Sequence, residues 1–353
     1  MKRILITGAG GSASANFIRS LKAAPERFYL VGTDCNKYYL QRAETDKRYL
    51  VPEANNSSYI KVINKIIGKE KIDFIYAQND IEIEVLSENR KKLKAKYFFP
   101  NQKTVIICQN KFESYQKWKT AGLAQPITML LKTNTDLKKA FRTIGKKIWI
   151  RAISGFGGNG SLPTSDYKQA KSWIDFKNGW GHFTAGEYLS PQSITWQSIW
   201  HKGKLIVAQS RKRLYWEFAK MSPSGITGVT GSAITVSDNT VNQMAQKAIL
   251  AIDKNPHGIF SVDLTFDQNM VPNPTEINIG RFFTTHEFFT KVGLNMPYIF
   301  IKLAFNEEYP KLKMEINPLP ENLVWIRGVD FLPILTSVEK IEEYEKELKK
   351  QTY

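Results

Sequence analysis

Apolar positions follow two rhythms along the first hundred residues. "KRILIT", "FYLVGTD" and "IDFIYAQ" are short continuous apolar runs, the pattern of strands buried on both faces. Between them, "SASANFIRSLKAA" and "SSYIKVINKIIGK" carry helical spacing. In the second, Tyr59, Val62, Ile63 and Ile66 form one stripe. "DIEIEVLSENRKKLKA" predicts a further helix opened by Asp80 as its N-cap. Strands separated by helical segments imply a parallel, doubly wound sheet.

From about 110 to 180 the pattern predicts a smaller α/β unit. It runs helix "KFESYQKWKTAG", strand "ITMLL", helix "TDLKKAFRTIG", strand "KIWIR", then a glycine loop. Beyond about 182 it turns strand-rich: "FTAGEYL", "ITWQSIWHKGKLIVAQSRKRL" and "GVTGSAITVS". A helix, "TVNQMAQKAILAID", and the hairpin "GIFSVDLTFDQNMVPNPTEIN" follow. Pro272 and Pro274 mark the second hairpin strand as short or at a sheet edge. Residues beyond about 305 are expected to form an appended helical piece.

Composition changes this picture little. The 353 residues allow two or three cored domains. Cys35 and Cys108 lie far apart with no metal-type spacing, as expected of thiols in a reducing compartment. No apolar stretch approaches the roughly 18 residues of a membrane span. The basic start gives way to glycines, not to a leader's apolar run. A soluble, cytoplasmic protein is expected. The net charge of +17 comes from scattered lysines such as those of "NRKKLKAKY", which read as solvated helix faces. No nucleic-acid motif stands beside them, so neither nucleic acid nor membrane is expected as a partner.

Three clusters carry candidate chemistry. In "ITGAGGSASANF", Gly8, Gly10 and Ala13 fit the G-x-G-x-x-G/A dinucleotide fingerprint, with Asp34 ending the next strand. This raises an NAD(P)-dependent oxidoreductase as one reading. Ser14 breaks the short-chain T-G-x-x-G-x-x-G pattern, and no Tyr-x-x-x-Lys pair accompanies it. The second cluster, "RAISGFGGNGS", places Gly155, Gly157, Gly158 and Gly160 after a strand ending in Arg151. Glycines there let backbone N–H groups approach phosphates, but no Gly-Lys-Ser/Thr makes it a P-loop. In the third, Asp263 sits mid-strand, while Glu276 and Asn278, two apart, point to one side of the returning strand. Across the hairpin these could converge as oxygen donors for Mg²⁺.

The order of these clusters is more specific than any one of them. "QNKFESYQKWKTAGLAQP", "IRAISGFGGNG", "GEYL" and "VDL…EIN…R" together resemble the ATP-grasp superfamily. The nearest likeness is to one ATP-binding half of the carbamoyl phosphate synthetase large subunit and its small stand-alone relatives. The resemblance runs from residue 1 to about 305 and includes "KVGLNMPYIFIKLA". It implies an α/β chain with a Rossmann-like pre-ATP-grasp domain (1–108) and a lid subdomain bearing the glycine loop (109–185). A C-terminal subdomain with the metal site (186–308) and an extension (309–353) complete the expected division.

The same resemblance implies the site. Lys111 and Arg151 look like the cations on the ATP phosphates, and Gly155 to Gly160 like the mobile lid. Glu187, with the backbone of Tyr188 and Leu189, matches the adenine hinge. Asp263, Glu276 and Asn278 match the ligands of two Mg²⁺ ions, Mn²⁺ being an alternative. Arg281 resembles the arginine on the transferring phosphoryl group. Some positions depart from the family. No second acid follows the hinge, where only Gln192, Ser193 or Gln197 are on offer as ribose ligands. Val229 replaces a synthetase histidine, and "EINIGR" has one residue too many before Arg281. Gly10, Gly11, Arg213 and His286 remain as candidate substrate contacts, with Arg211 beside Arg213 in "SRKRL".

The implied reaction activates a carboxylate or bicarbonate as an acyl phosphate with MgATP, then joins it to an amine. One grasp half is too short for full carbamoyl phosphate synthesis. A single-step carboxylate–amine ligase fits better, with small-molecule carboxylate and amine partners and a homodimer as one assembly open to it. An ATP-binding regulatory protein with a degenerate site is the rival outside catalysis.

Overall fold

The structure, a computed structural model, describes residues 1–155, 157–158, 160–190, 192–328, 334–343 and 346. Phe156 and Asn159 of the glycine loop, and parts of the tail beyond 328, lie outside the described residues.

The first hundred residues form a parallel sheet of β1 (Lys2–Ile6), β2 (Phe28–Asp34), β3 (Lys47–Leu50) and β4 (Phe74–Tyr76) in the order β3-β2-β1-β4. The expected doubly wound pattern is present: Ile4, Leu5 and Ile6 are buried, facing two different cores. The covering helices are α1 (Ser12–Lys22), α2 (Lys37–Leu40), α3 (Tyr59–Glu70) and α4 (Asp80–Glu88). Helices α5 (Gln102–Gln109) and α6 (Lys111–Thr120) then lead to the next layer.

A small antiparallel sheet follows, ordered β5-β8-β6-β7, from β5 (Thr128–Leu131), β6 (Ile148–Ala152), β7 (Leu162–Thr164) and β8 (Phe183–Glu187). Helix α7 (Asn134–Thr143) opens with a capping box of Thr133 and Asp136, and α8 (Tyr167–Phe176) is capped by Asp166. This unit has its own core around Leu131, Leu137, Ile150 and Ile174.

The rest of the chain builds a seven-stranded antiparallel sheet, ordered β13-β12-β9-β10-β11-β14-β15. Its strands are β9 (Ser193–His201), β10 (Lys204–Trp216), β11 (Thr230–Val236), β12 (Gly258–Phe266), β13 (Pro272–Ile279), β14 (Leu323–Ile326) and β15 (Ile334–Ser337). Helix α9 (Asn239–Ile252) lays Val241, Ala245, Ala248 and Ile249 on one face of it, against Trp196, Val262 and Leu264. Helices α10 (Glu287–Lys291) and α11 (Met296–Ala304) pack on the parallel sheet's side. Residues of the parallel sheet and the large sheet share both large cores, whereas the small sheet keeps its core to itself.

Three local expectations are corrected. Asp80 is the first helical residue, not the cap: Asn79 is extended and its side chain accepts the Glu82 N–H. The helix ends at Glu88, not near residue 95, because the Asn89 amide binds the Val85 carbonyl and a single 3₁₀ turn follows. The tail supplies two strands ahead of its helical part: the apolar "LVWI" pairs with β11 and with "ILTS", and residues 338–343 are helical. The strand of Pro272 and Pro274 does lie at the sheet edge, though it spans eight residues.

Candidate active site

Side chains alternate across a strand, so the apolar face that α9 covers leaves a second face for chemistry. Antiparallel partners share a face, and the register places Asp263 opposite both Glu276 and Thr195, with Thr195 opposite Arg211. Ser261 stands opposite Asn278 and Gln197. One face of the large sheet is therefore polar from β13 to β10, and it looks toward the glycine loop and the parallel sheet.

Within this face the hairpin acids meet as the spacing predicted. Asn278 donates its amide to Asp263 Oδ2 at 3.1 Å, and Thr195 donates its hydroxyl to Asp263 Oδ1 at 2.5 Å. A bulge after Asp263 leaves Thr275 unpaired in the ladder and turns its carbonyl toward the small sheet. There it accepts a 2.7 Å bond from Arg151 Nη2. Lys111 reaches the same hairpin, its Nζ lying 3.4 Å from Glu276 Oε2 and donating to the Gly155 carbonyl at 2.8 Å.

Local structure holds both cations. Asn110 caps α6, and the Lys111 N–H binds the Ile153 carbonyl at 2.7 Å, which fixes the helix start beside the end of β6. Burial lowers the Arg151 pKa, opposed by Glu276 and Asp263, so a charged guanidinium stays between the two sheets. A cation from the start of α6 and one from β6 thus face two carboxylates of the hairpin beside the glycine loop. Gly155, Gly157, Gly158 and Gly160 all have positive φ, and Gly157 and Gly158 lie against the backbone of Ile226 and Thr227.

The hairpin donors suit a hard cation in type: two carboxylates and an amide oxygen side by side, with few protein ligands as Mg²⁺ prefers. The described residues hold no cluster of three or more His, Cys, Asp or Glu side chains arranged for a metal. The Asn278 carbonyl oxygen accepts from Arg281 at 2.7 Å, so Asn278 bridges Asp263 to Arg281. Arg281 is pinned in turn by Asp80 at 2.7 Å. Burial lowers its pKa, but Asp80 outweighs that and the net shift is upward.

Other expected residues have the following surroundings. The Glu187 carboxylate accepts the Ile127 N–H at 3.4 Å, and the Tyr188 ring lies 3.6 Å from the Lys147 ammonium. Leu189 follows on the same connection, partly buried. Of the ribose candidates, Gln197 is 0% exposed and accepts the Phe283 N–H at 2.8 Å, which makes it a structural group. Ser193 accepts from Arg213, whose guanidinium stacks 3.6 Å over Trp216. Gln192 accepts from Lys212 at 3.5 Å. His286 is 1% exposed with Nδ1 against the Phe283 carbonyl, and burial depresses its pKa to about 4.

The opening loop differs in kind. The Gly10 N–H already binds Asp34 Oδ2 at 3.1 Å, where a pyrophosphate would sit in a dinucleotide enzyme. A Cβ on Gly10 would lie 2.0 Å from the Tyr39 carbonyl oxygen, so this glycine serves close packing. Beneath Gly8, Glu82 takes hydrogen bonds from Thr7 and Tyr59, and burial raises its carboxyl to about 7. Gly11 donates to the Gly8 carbonyl and stands before α1 with no side-chain cap.

Sequence reasoning missed Thr195 and Asp80 as partners of the site, and Arg327, which reaches the loop after β13. Thr195 was recoverable from the two-residue alternation of "SITWQSIW"; Asp80 and Arg327 act across 201 and 43 residues and left no local signal.

Comparison with known proteins agrees with this architecture. Residues 4–97 match the model of the PylC-like N-terminal domain. The L-amino acid ligase from Bacillus licheniformis superposes with a TM-score of 0.72 at 11% identity, covering 99% of this chain and 97% of that one. The N5-carboxyaminoimidazole synthetase of Staphylococcus aureus complexed with ADP gives 0.71 at 16%, over 93% and 82%. Campylobacter jejuni biotin carboxylase gives 0.70 at 18%, over 92% and 75%. No curated protein sequence matches. At these identities the likeness speaks for fold alone: the chain shares the fold of these enzymes, and its first hundred residues resemble the PylC-like N-terminal domain.

Proposed function

We propose that the protein is an ATP-dependent ligase that activates a carboxylate, or bicarbonate, and joins it to an amine-type nucleophile. The observation that carries this reading is the pairing across the cleft: Lys111 and Arg151 from the small lobe against Asp263 and Glu276 on the hairpin. Structural neighbours crystallised with ADP, and a ligase that matches over almost its whole length, support it.

In this reading ATP lies between the two antiparallel sheets, with its phosphates on Lys111, Arg151 and the N–H groups of the glycine loop. Asp263, Glu276 and Asn278 would hold Mg²⁺, one or two ions with Mn²⁺ as an alternative, and the metal would neutralise phosphate charge. A carboxylate oxygen of the substrate attacks the γ-phosphorus, the bond to the β-phosphate oxygen breaks, and ADP leaves. The amine then attacks the acyl carbon and inorganic phosphate departs, the amine proton going to solvent or to phosphate. Phosphoryl transfer needs alignment and neutralised charge more than covalent help, which suits a site built of fixed cations. Arg281, held by Asp80 and Asn278, would steady the transferring group beside the metal acids. The glycine loop, meeting the chain at 226–228, serves as the cover that keeps water from the acyl phosphate.

Two rivals stand below this reading. NAD(P) chemistry at the opening loop is opposed by the Asp34 carboxylate already seated on Gly10. A degenerate regulatory protein would bind MgATP without turnover. Among the described residues no helix is long and apolar enough to cross a membrane. Both cysteines are free, as in a cytoplasmic enzyme, and a homodimer is the assembly we would test by mass in solution. The deciding experiment measures ADP release over a panel of carboxylates paired with amines. Release that requires one of each supports the ligase; MgATP binding with no release under any pair overturns it.

A further inference from the structure

Four arginines line the polar face and its rim, and three have acceptors. Arg151 donates to the Thr275 carbonyl, Arg281 to Asp80 and Asn278, and Arg213 to Ser193 and Thr230. Arg211 on β10 is different. It is only 2% exposed, and its Nε and Nη1 are fully enclosed with no hydrogen-bond partner among the described residues. A buried guanidinium without an acceptor is costly, and proteins shed such groups unless something binds them.

Its surroundings point to what is missing. The charges facing Arg211 are Arg213, Arg327 and Asp263, two cations against one acid, and Asp263 is already engaged by Thr195 and Asn278. The guanidinium lies 4.4 Å over the Phe283 ring, whose backbone is fixed by Gln197. On the next residue, the Thr284 carbonyl takes bonds from Arg327 at 2.8 Å and from Asn16 of α1. Two further groups of this same short segment, Thr285 Oγ1 and His286 Nε2, are also enclosed without partners among the described residues. Cations and unused polar atoms thus gather where the large sheet, the loop after β13 and the parallel sheet's first helix meet. The strand of Arg211 is two strands from that of Asp263, or about 10 Å between backbones.

We infer that Arg211, with Arg327 beside it, receives a carboxylate of the small-molecule substrate at a subsite apart from the hairpin acids. The substrate class is then a small molecule carrying a carboxylate handle besides the group that reacts, as an amino acid does when its amine is the nucleophile. This rests on the ligase reading for the reacting end of the cleft, but the anion site itself can be tested without ATP. A planar fork with two free donors suits a carboxylate better than a point charge would.

The test compares wild type with Arg211→Met and Arg211→Lys by thermal melting, first with no ligand. Removing an uncompensated buried charge should raise the melting temperature of Arg211→Met by about 2 °C or more. Sodium succinate and L-alanine at millimolar concentration should protect the wild type. Succinamide and L-alaninamide should not, Arg211→Met should respond to none, and Arg211→Lys should respond weakly. MgATP protection should be equal in all three proteins. In the ADP-release assay, Arg211→Met should lose about 100-fold or more in kcat/KM for the carboxylate-bearing substrate. An Arg211→Met protein that melts below wild type, or fails to fold, overturns the inference by making Arg211 structural. Equal protection of wild type by acids and amides overturns it too. Absent MgATP protection, by contrast, strikes the ligase reading and leaves the ATP-free arms to decide the anion site.

Discussion

Two glycine-rich loops follow apolar strands in this chain, and they serve opposite ends. The first, at Gly8 to Gly11, lies over acids: Asp34 occupies the Gly10 N–H, and Glu82 sits protonated-prone beneath Gly8. The second, at Gly155 to Gly160, lies over cations: Lys111 donates to its Gly155 carbonyl, and Arg151 is the penultimate residue of the strand that feeds it. Gly10 is needed because another backbone fills the space of its Cβ. Gly155 has open space around it and is needed for its φ of 98°. Composition is the same; the sign of the local charge and the reason for glycine are not. On the proposed reading, an anionic nucleotide would be drawn to the second loop and repelled by the first.

The largest expected effect breaks the comparison at the first loop. Gly10→Ala should cost about 3 kcal/mol or more of stability, because the new methyl meets backbone that cannot yield. Urea unfolding measures this, and a variant as stable as wild type would remove the packing role of Gly10. At the second site, Glu276→Gln should lower ADP release about 10²–10³-fold with an unchanged melting temperature. Near-normal turnover there would sink the hairpin as the metal-holding element.

A smaller effect tests whether the buried polar groups beside α1 are structural. His286 is neutral in the fold, with a pKa near 4 against an ordinary value of 6.5. Its contribution is complete above pH 6.5 and is lost as pH falls toward 4, when the unfolded chain takes the proton first. Between pH 7 and 5 this amounts to about 2 kcal/mol. Urea midpoints should fall over that range in wild type and fall less in His286→Gln; equal slopes would contradict the assignment. The smallest effect sharpens the second loop. Gly155→Ala meets no steric block but is strained at a φ of 98°, so it should lower melting less than Gly10→Ala does and slow ADP release about tenfold. A loss of fold instead would make the two glycines alike.

Much of this was legible in the sequence where the signal is local. The two-residue period placed Glu276 and Asn278 on one side, and a hairpin was enough to bring Asp263 to them. The strand–helix alternation gave the parallel sheet. What the sequence hid lies across distance. The fingerprint at Gly8 to Ala13 reads as dinucleotide-binding because its turn geometry is common to all such folds. Only the folded chain shows Asp34 on the Gly10 N–H and the Tyr39 carbonyl where a side chain at Gly10 would stand. Arg281 was expected on the transferring phosphoryl group, with no sign in the sequence that Asp80, 201 residues earlier, holds it. The strands of the tail went unseen because "LVWI" becomes a strand only when β11 offers it an edge.

The central claim is that nucleotide binds at the second glycine loop, between the antiparallel sheets, and not at the first. Calorimetric titration of MgATP and NADH into wild type and Lys111→Gln tests it most directly. The account predicts that wild type binds MgATP and not NADH, and that Lys111→Gln binds MgATP about tenfold more weakly with its fold intact. NADH binding, or MgATP affinity indifferent to the loss of Lys111, would contradict it.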